Sequence, residues 1–171
     1  MYRAVNDLPM ALVLLTLLAL LGIFLLTLTL QHRTSMQEQL KFFLIALLVR
    51  FATAVVVYEF NLVQVLGDED SGGWLGGVGY LNLWTQRHLS LVDLPGELLG
   101  AFEGHHRGYA YLVGLLFYLI GSPARLPAAA LNCFFGALTV VFVYRIARTL
   151  FSPWVATRVG WLACFFPSLI I

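Results

Sequence analysis

The chain opens with an uninterrupted apolar segment, residues 8–30, that contains no charged side chain. About 20 apolar residues in a helix cross the hydrocarbon core of a bilayer. The segment is too long for the apolar part of a signal peptide, which has about 7–15 residues, and no small-x-small cleavage site follows it. We therefore expect a retained transmembrane helix, and the rest of the chain must be compatible with a membrane.

The composition also favours a membrane protein. Hydrophobic residues make up 60% of the 171 residues and charged residues 11%, whereas soluble domains contain about 45–50% apolar and about 25% charged residues. Lipid must cover part of this apolar surface. The net charge of +1 and the absence of a Lys/Arg run give no indication of nucleic-acid binding. Cys133 and Cys164 lie singly in apolar runs, and their spacing fits neither a zinc site nor a redox motif.

Three further apolar segments follow and predict a bundle of about four spans. Ser35 and Glu38 have the spacing of a capping box, which indicates that a second helix begins near Met36. Ser152 and Pro153 are typical of a helix start, with Ser as the cap and Pro in the first turn. The predicted spans are residues 8–30, 41–66, 126–146 and 154–171.

Residues 67–107 differ in kind from these apolar segments, because they are rich in acidic residues and in glycine, which resists a single long helix. We predict two short helices at the membrane surface, over residues 74–88 and 107–121. The second is too short to cross the bilayer comfortably. The first carries three aromatic residues of the kind found at membrane interfaces, Trp74, Tyr80 and Trp84.

The glycine-rich stretch 72–79 resembles a nucleotide-binding loop only superficially. It lacks the Gly-Lys-Ser/Thr ending and a preceding strand, so both phosphate-loop fingerprints fail. The Gly72/Gly76 and Gly73/Gly77 pairs instead allow a neighbouring helix to approach closely.

The positions of Lys and Arg predict the orientation in the membrane. Basic residues cluster around two short loops, which should both be cytoplasmic, so the acidic segment 67–125 should be extracytoplasmic. An even number of crossings must then separate the basic loops, and the helix at 107–121 should not cross. The predicted fold is an all-α polytopic transmembrane bundle with surface helices in one long outer loop. The basic clusters are His32, Arg33 and Lys41, and Arg145, Arg148 and Arg158.

Asp68, Glu69 and Asp70 follow the outer end of the second predicted span. Three adjacent carboxylates repel one another, so at least one needs a cationic partner or must give up its charge. A carboxylate at a membrane surface can act as a general base, or hold a divalent metal ion through oxygen ligands. A solvated helix end is the simpler interpretation of the same residues.

His105, His106 and Arg107 precede the second short helix, and Arg125 precedes the next long apolar segment. Arg forms bidentate contacts with phosphate, and free N–H groups at a helix start attract anions. These residues are therefore candidates for binding the phosphate of a lipid carrier, with a polar interface cap as the simpler interpretation of the triplet. A metal site shared by the two histidines and the acidic triplet is a weaker candidate, because adjacent side chains point apart in a helix.

Arg50 lies deep in the second predicted span. Charged residues inside a membrane are costly and usually face the interior of a bundle. Arg50 could pair with a carboxylate from a part of the protein outside this chain, or its side chain could extend to the interface. The sequence leaves both alternatives open.

The order of these elements resembles the GT-C glycosyltransferases, in particular the family 39-like relatives of protein O-mannosyltransferases and aminoarabinose transferases. A helix, then Gly67-Asp68-Glu69, then an aromatic surface helix is similar to their first extracytoplasmic loop. The segment from His106 to Gly121 is similar to their His/Lys-Pro-Pro segment with its apolar helix, although no Pro-Pro follows His106. The resemblance covers roughly residues 42–171.

This resemblance implies transfer of a sugar from a polyprenyl-phosphate-linked donor to an acceptor hydroxyl at the extracytoplasmic face of a bacterial inner membrane. It matches Asp68 to the catalytic acidic residue and Glu69 to its common neighbour. It matches His106 or Arg107 to a contact with the lipid phosphate, and Arg125 to a basic residue at the outer start of the next helix. The implied partners are the lipid-linked donor and membrane lipids, and a divalent metal at the acidic triplet is left open.

Two other classes of function stay open on the sequence. A transporter or channel segment could place Arg50 and Glu59 on a substrate path, although no internal repeat is visible. A non-catalytic membrane scaffold is the third alternative. Because the last residues are apolar with no polar flank, we expect the natural chain to continue beyond residue 171 and the 171-residue chain alone to be inactive.

Overall fold

A computed structural model describes residues 7–29, 33–62, 71–86 and 107–165. Every regular element in these ranges is an α-helix, which confirms the predicted fold class. In chain order the helices are α1 (Leu8–Thr29), α2 (Arg33–Glu59), α3 (Ser71–Gln86), α4 (Arg107–Ile120), α5 (Arg125–Leu150) and α6 (Pro153–Phe165).

Three of these helices contain stretches long and apolar enough to cross a membrane, namely Leu8–Leu28, Met36–Glu59 and Arg125–Leu150. In α1, large apolar side chains such as Val13 (63% exposed) and Leu28 (68% exposed) are not covered by the rest of the bundle. A bilayer covers such surfaces without the penalty that water would impose. The chain is accordingly a helical membrane protein.

The predicted fourth span is described only in part. Its described portion is the 13-residue helix α6, which begins at Pro153 directly after Ser152, as the sequence predicted. Residues 166–171 lie outside the described residues, so a crossing by this segment stays a prediction. α4 has 14 residues and belongs to the shorter apolar helices, and its predicted place at the membrane surface stays a prediction.

The main core forms around α5, which contacts α1, α2 and α6. Phe42 of α2 packs against Tyr144 of α5, with ring centroids 5.0 Å apart, and edge-on against Trp161 of α6 at 5.5 Å. Gly160 lets α6 approach this ring closely, because a Cβ atom there would lie 2.8 Å from Phe42 Cζ. The packing of α6 on α2 therefore depends on a small residue facing a large one.

α2 and α5 run antiparallel in a register that two contacts define. Arg148 Nη1 lies 2.9 Å from Glu38 Oε2, and the Arg50 guanidinium lies beside Gly136. Arg50 follows Glu38 by 12 residues, and Gly136 precedes Arg148 by 12, so both contacts give the same register. If this register is extended by a further 12 residues, the end of α2 lies beside the start of α5 at Arg125.

The boundaries of α2 differ from the predicted ones at both ends. The helix begins at Arg33, so Ser35 lies inside it rather than at its N-cap, and the predicted capping box with Glu38 does not mark the start. The helix ends at Glu59, before the predicted limit at residue 66. Asn61 adopts a left-handed conformation (φ 52°), and the amide of Leu62 donates to the carbonyl of Val57 at 2.8 Å. This is a Schellman motif, in which asparagine serves as the left-handed residue.

α3 and α4 form an antiparallel hairpin. Gly77 of α3 contacts Val113 and Gly114 near the middle of α4, whereas Trp84, nearer the end of α3, contacts Tyr111, nearer the start of α4. The close approach predicted for the glycine pairs is therefore present at Gly77. Ala128 of α5 is buried against three residues of the hairpin, Leu81, Val113 and Phe117. This contact attaches the hairpin to the beginning of α5.

Candidate functional site

Arg125 is the candidate residue whose side chain the structure describes. Most of the other candidates lie outside the described residues. For Arg107, the structure describes only the backbone, at the start of a helix. These other candidates are Asp68, Glu69, Asp70, His105, His106 and Arg107. Their roles stay predictions. The positions of the described residues next to them in the chain show which end of the bundle they adjoin.

Arg125 is the first residue of α5, and its guanidinium carbon lies 4.8 Å from the ring centroid of Trp74 in α3. Such a cation–π contact contributes about 0.5–1 kcal/mol when exposed and about 2 kcal/mol when desolvated. Since Arg125 is half-buried, its contribution falls between these values. The contact fixes the start of α3 against the start of α5 and holds a permanent positive charge between them.

Trp74 also presents an unsatisfied donor at this position. Its indole Nε1 is buried and has no hydrogen-bond partner within the described ranges of the chain. A buried N–H group without an acceptor costs about 1–3 kcal/mol. An oxygen acceptor such as a carboxylate or phosphate oxygen would satisfy this group.

The described residues on both sides of the acidic triplet lie at the Arg125 end of the bundle. On one side, Leu62 closes α2, whose end is level with the start of α5. On the other side, Ser71 begins α3 immediately after Asp70, and Trp74 follows within one helical turn. The structure therefore groups Arg125 with both flanks of the predicted carboxylates, although the carboxylates themselves lie outside the described residues.

Arg107, the first residue of α4, lies at the other end of the hairpin. Because α3 and α4 are antiparallel, the start of α4 lies beside the end of α3, away from Ser71. A 14-residue helix is about 20 Å long, so the backbones of Arg107 and Gly121 lie about that far apart. Gly121, with φ +82°, closes α4 and leads to Arg125. The two predicted phosphate-binding groups are thus separated by the length of α4.

The aromatic residues of α3 pack within the hairpin. Tyr80 and Trp84 are both buried and stack with ring centroids 5.7 Å apart. Tyr111 of α4 meets each of them edge-on, and Tyr118 meets Trp84 edge-on at 5.9 Å. Tyr80 and Trp84, which the sequence indicated as interfacial anchors, therefore contribute mainly to the contact between α3 and α4.

A polar cluster that the sequence did not predict lies at the opposite end of the bundle. Tyr144 donates its hydroxyl hydrogen to Glu38, and Arg148 Nη1 donates to Glu38 Oε2 at 2.9 Å and to the Tyr144 hydroxyl at 2.8 Å. Beside it, Arg145 Nε donates to Gln39 Oε1 at 2.6 Å. The basic residues expected only to mark a cytoplasmic loop thus also join α5 to α2. The i, i+4 spacing of Tyr144 and Arg148 was the available sequence signal.

Arg50 is 1% exposed and lies between α2, α5 and α6. Its side chain does not extend to an interface, so this alternative from the sequence is wrong. Within the described residues, Nη2 donates to the carbonyl oxygen of Ala163 at 3.4 Å, and Nε has no partner. Glu59 is exposed and lies nine residues further along α2, which places it on the opposite side of the helix. The two charges therefore do not line a common path.

No group of three or more His, Cys, Asp or Glu residues that could hold a metal ion occurs in the described ranges, and the acidic triplet lies outside them. Comparisons with protein-family models, with curated proteins and with solved structures find no match for this chain.

Proposed function

We propose that this protein is a GT-C type glycosyltransferase that moves a sugar from a polyprenyl-phosphate-linked donor to an acceptor hydroxyl at the extracytoplasmic face of the bacterial inner membrane. The observation that carries the proposal is the position of Arg125. This cation and the unsatisfied Trp74 donor lie at the same end of the bundle as both described flanks of the acidic triplet.

The proposed reaction needs a base and a cation on opposite sides of the sugar. The acceptor oxygen bonds to the anomeric carbon while its proton passes to the Asp68 carboxylate, which Glu69 supports. The bond between the anomeric carbon and the phosphate oxygen breaks, and its electron pair leaves with the polyprenyl phosphate. Arg125 stabilises the charge that develops on this phosphate. Arg suits this task because its planar guanidinium forms paired hydrogen bonds with phosphate oxygens.

We assign the reacting phosphate to Arg125 in preference to Arg107. The backbone of Arg107 lies about one helix length of 20 Å from the turn that leads to Arg125, whereas Trp74 and Arg125 are in contact. In this proposal His105, His106 and Arg107 contact the donor lipid farther from the reacting carbon. If a divalent metal binds, Asp68, Glu69 and Asp70 would hold it, and its charge would polarise the acceptor hydroxyl.

The direct test is sugar transfer in membranes that contain the full protein and a labelled polyprenyl-phosphate sugar. Loss of a general base typically lowers the rate about 10²–10⁴-fold, so we expect Asp68→Asn to abolish detectable transfer, and Arg125→Gln to reduce it strongly. Glu59→Gln is the matched control, because Glu59 is an exposed carboxylate near the same end of α2. Unchanged transfer by Asp68→Asn would remove Asp68 from the mechanism.

The orientation can be tested separately. Cys133 and Cys164 are buried, so a cysteine introduced by Glu69→Cys can be labelled without first removing them. We expect an impermeant maleimide to label it from the extracytoplasmic side of intact cells. Labelling only after the cytoplasmic side is exposed would refute the proposed orientation and the enzyme built on it.

A further inference from the structure

One face of α6 carries a row of three aromatic side chains and one cation. Trp154, Arg158, Trp161 and Phe165 follow one another at intervals of four, three and four residues, and residues at these spacings lie on the same face of a helix. The guanidinium carbon of Arg158 lies 3.5 Å from the ring centroid of Trp154, and the rings of Trp161 and Phe165 stack with centroids 6.1 Å apart. These four residues form the α6 stripe.

α2 adds a second cation to the α6 stripe. The ammonium nitrogen of Lys41 lies 5.1 Å from the centroid of the Trp161 ring, and Arg158 precedes Trp161 by one helical turn on the same face. Arg158 is the sixth residue of α6, and Lys41 is the sixth residue of the apolar stretch Met36–Glu59. Each cation therefore lies about 7.5 Å along its helix from the first residue, a depth from which a long basic side chain reaches the headgroup region.

Neither cation has a carboxylate partner in the part of the chain that the structure describes. The ion pair at this end of the bundle joins Arg148 to Glu38, and α6 contains no Asp or Glu. Lys41 and Arg158 are both exposed. The surface therefore presents two positive charges that no acidic side chain of the described residues compensates.

Exposed apolar side chains continue from the two cations along α6. Leu162, which follows Arg158 by one turn, is 71% exposed, and Phe165 is 53% exposed. A soluble anion would compensate the charges and leave these side chains uncovered, whereas a phospholipid supplies a phosphate and acyl chains together. A lipid with a net negative charge is favoured, because a choline or ethanolamine group would find no carboxylate among the described residues of this surface.

We propose that Lys41 and Arg158 bind the phosphate of an anionic phospholipid whose acyl chains lie along Leu162 and Phe165. The site lies at the end of the bundle opposite Arg125 and is independent of the proposed glycosyl transfer. Basic pockets between transmembrane helices bind anionic headgroups in this way. The aromatic rings of the α6 stripe hold both cations in place on the surface that the lipid covers.

The test measures lipid contact with the full purified chain in detergent micelles that contain brominated phosphatidylglycerol or brominated phosphatidylcholine. Bromine on an acyl chain quenches a tryptophan that it contacts, and Trp154 and Trp161 lie on the α6 stripe. The dependence of quenching on lipid mole fraction gives a binding constant for each lipid. A basic residue near an anionic membrane surface increases binding about fivefold. We therefore expect Lys41→Gln and Arg158→Gln each to lower the preference for phosphatidylglycerol about fivefold.

Arg145→Gln is the matched control, because it also removes one positive charge at this end of the bundle. Its Nε donates to Gln39, which is two residues from Lys41 and faces the other side of α2. Trp74 and Trp84 lie in the α3–α4 hairpin and contribute the same background in every variant. Arg145→Gln should leave the lipid preference unchanged. An equal loss in Arg145→Gln and Lys41→Gln would mean that only the general charge of this end attracts the lipid, and would overturn the proposal.

Two further comparisons separate the site from a folding defect and from a soluble ligand. Lys41→Arg and Arg158→Lys keep the charges and should keep the preference for phosphatidylglycerol, and its loss in these variants would refute a role for the charges. Glycerol phosphate has the headgroup chemistry without acyl chains and should not displace the brominated lipid. Displacement by glycerol phosphate at the concentration of the lipid would assign the two cations to a soluble anion and refute the lipid site.

Discussion

Gly77→Ala should separate α3 from α4 and weaken the hairpin that carries Trp74. A Cβ atom at residue 77 would lie 2.5 Å from Cγ1 of Val113, 3.0 Å from its Cβ and 3.2 Å from the backbone nitrogen of Gly114. Carbon atoms pack best at about 3.5–4.0 Å, so the helices would have to move apart by about 1 Å. Val113 cannot turn away easily, because it is fully buried and a β-branched residue in a helix has one strongly preferred rotamer.

The magnitude follows from two opposing effects. Insertion of a methyl group into a packed contact typically costs about 1–3 kcal/mol, whereas replacement of glycine by alanine inside a helix contributes up to about 1 kcal/mol of stability. Gly108→Ala in α4 is the matched control, since no atom of the described residues lies within 4 Å of a Cβ at that position. The difference between the two variants should therefore be about 1–3 kcal/mol, the range for overpacking alone.

The assay is reversible unfolding of the purified protein in detergent, monitored by circular dichroism and by tryptophan fluorescence. Val113→Ala supplies a second comparison, because it removes the methyl groups that the new Cβ would strike and should cost less in the Gly77→Ala background. If Gly77→Ala were as stable as Gly108→Ala, or if Val113→Ala cost the same in both backgrounds, the close contact would not be rigid and the reasoning would fail.

Three further predictions concern the other end and the middle of the bundle. Tyr144→Phe should lower the free energy of unfolding by about 1 kcal/mol through loss of its hydroxyl hydrogen bonds. A double-mutant cycle on Glu38 and Arg148 should give a coupling below about 1 kcal/mol, since both side chains are partly exposed. Cys133 and Cys164 should resist N-ethylmaleimide in the folded protein and react after denaturation, because both are buried, and rapid labelling of the native protein, measured by mass spectrometry, would contradict this packing.

Local sequence patterns predicted the elements that depend on local chemistry. The apolar run at residues 8–30 corresponds to α1, which ends at Thr29, and the Ser152–Pro153 pair correctly marks the start of α6. Glycine at 121 ends α4 through its positive φ. Each of these features is determined within a few residues, by helix length, a fixed proline φ or a missing side chain.

The features that the sequence did not predict depend mainly on residues far apart in the chain. Glu38 fitted a capping box by its spacing, but its carboxylate binds Arg148, 110 residues away. The end of α2 was missed because Asn61, a residue tolerant of the left-handed conformation, stands among apolar neighbours that suggested a continuing span. The partner of Arg50 is a backbone carbonyl 113 residues away, which no side-chain pattern can show.

These long-range polar contacts also determine the geometry of the candidate site. Apolar faces of two helices pack in several registers, but hydrogen-bonded pairs do not. The Glu38 cluster therefore selects one register for α2 against α5, and Arg50 joins α2 to α6. A shift by one helical turn would move the end of α2 by about 5.4 Å along α5. That shift would displace the segment entering the acidic triplet relative to Arg125. The polar contacts that set the end of α2 relative to Arg125 therefore lie in the middle and at the opposite end of the bundle, away from Arg125 itself.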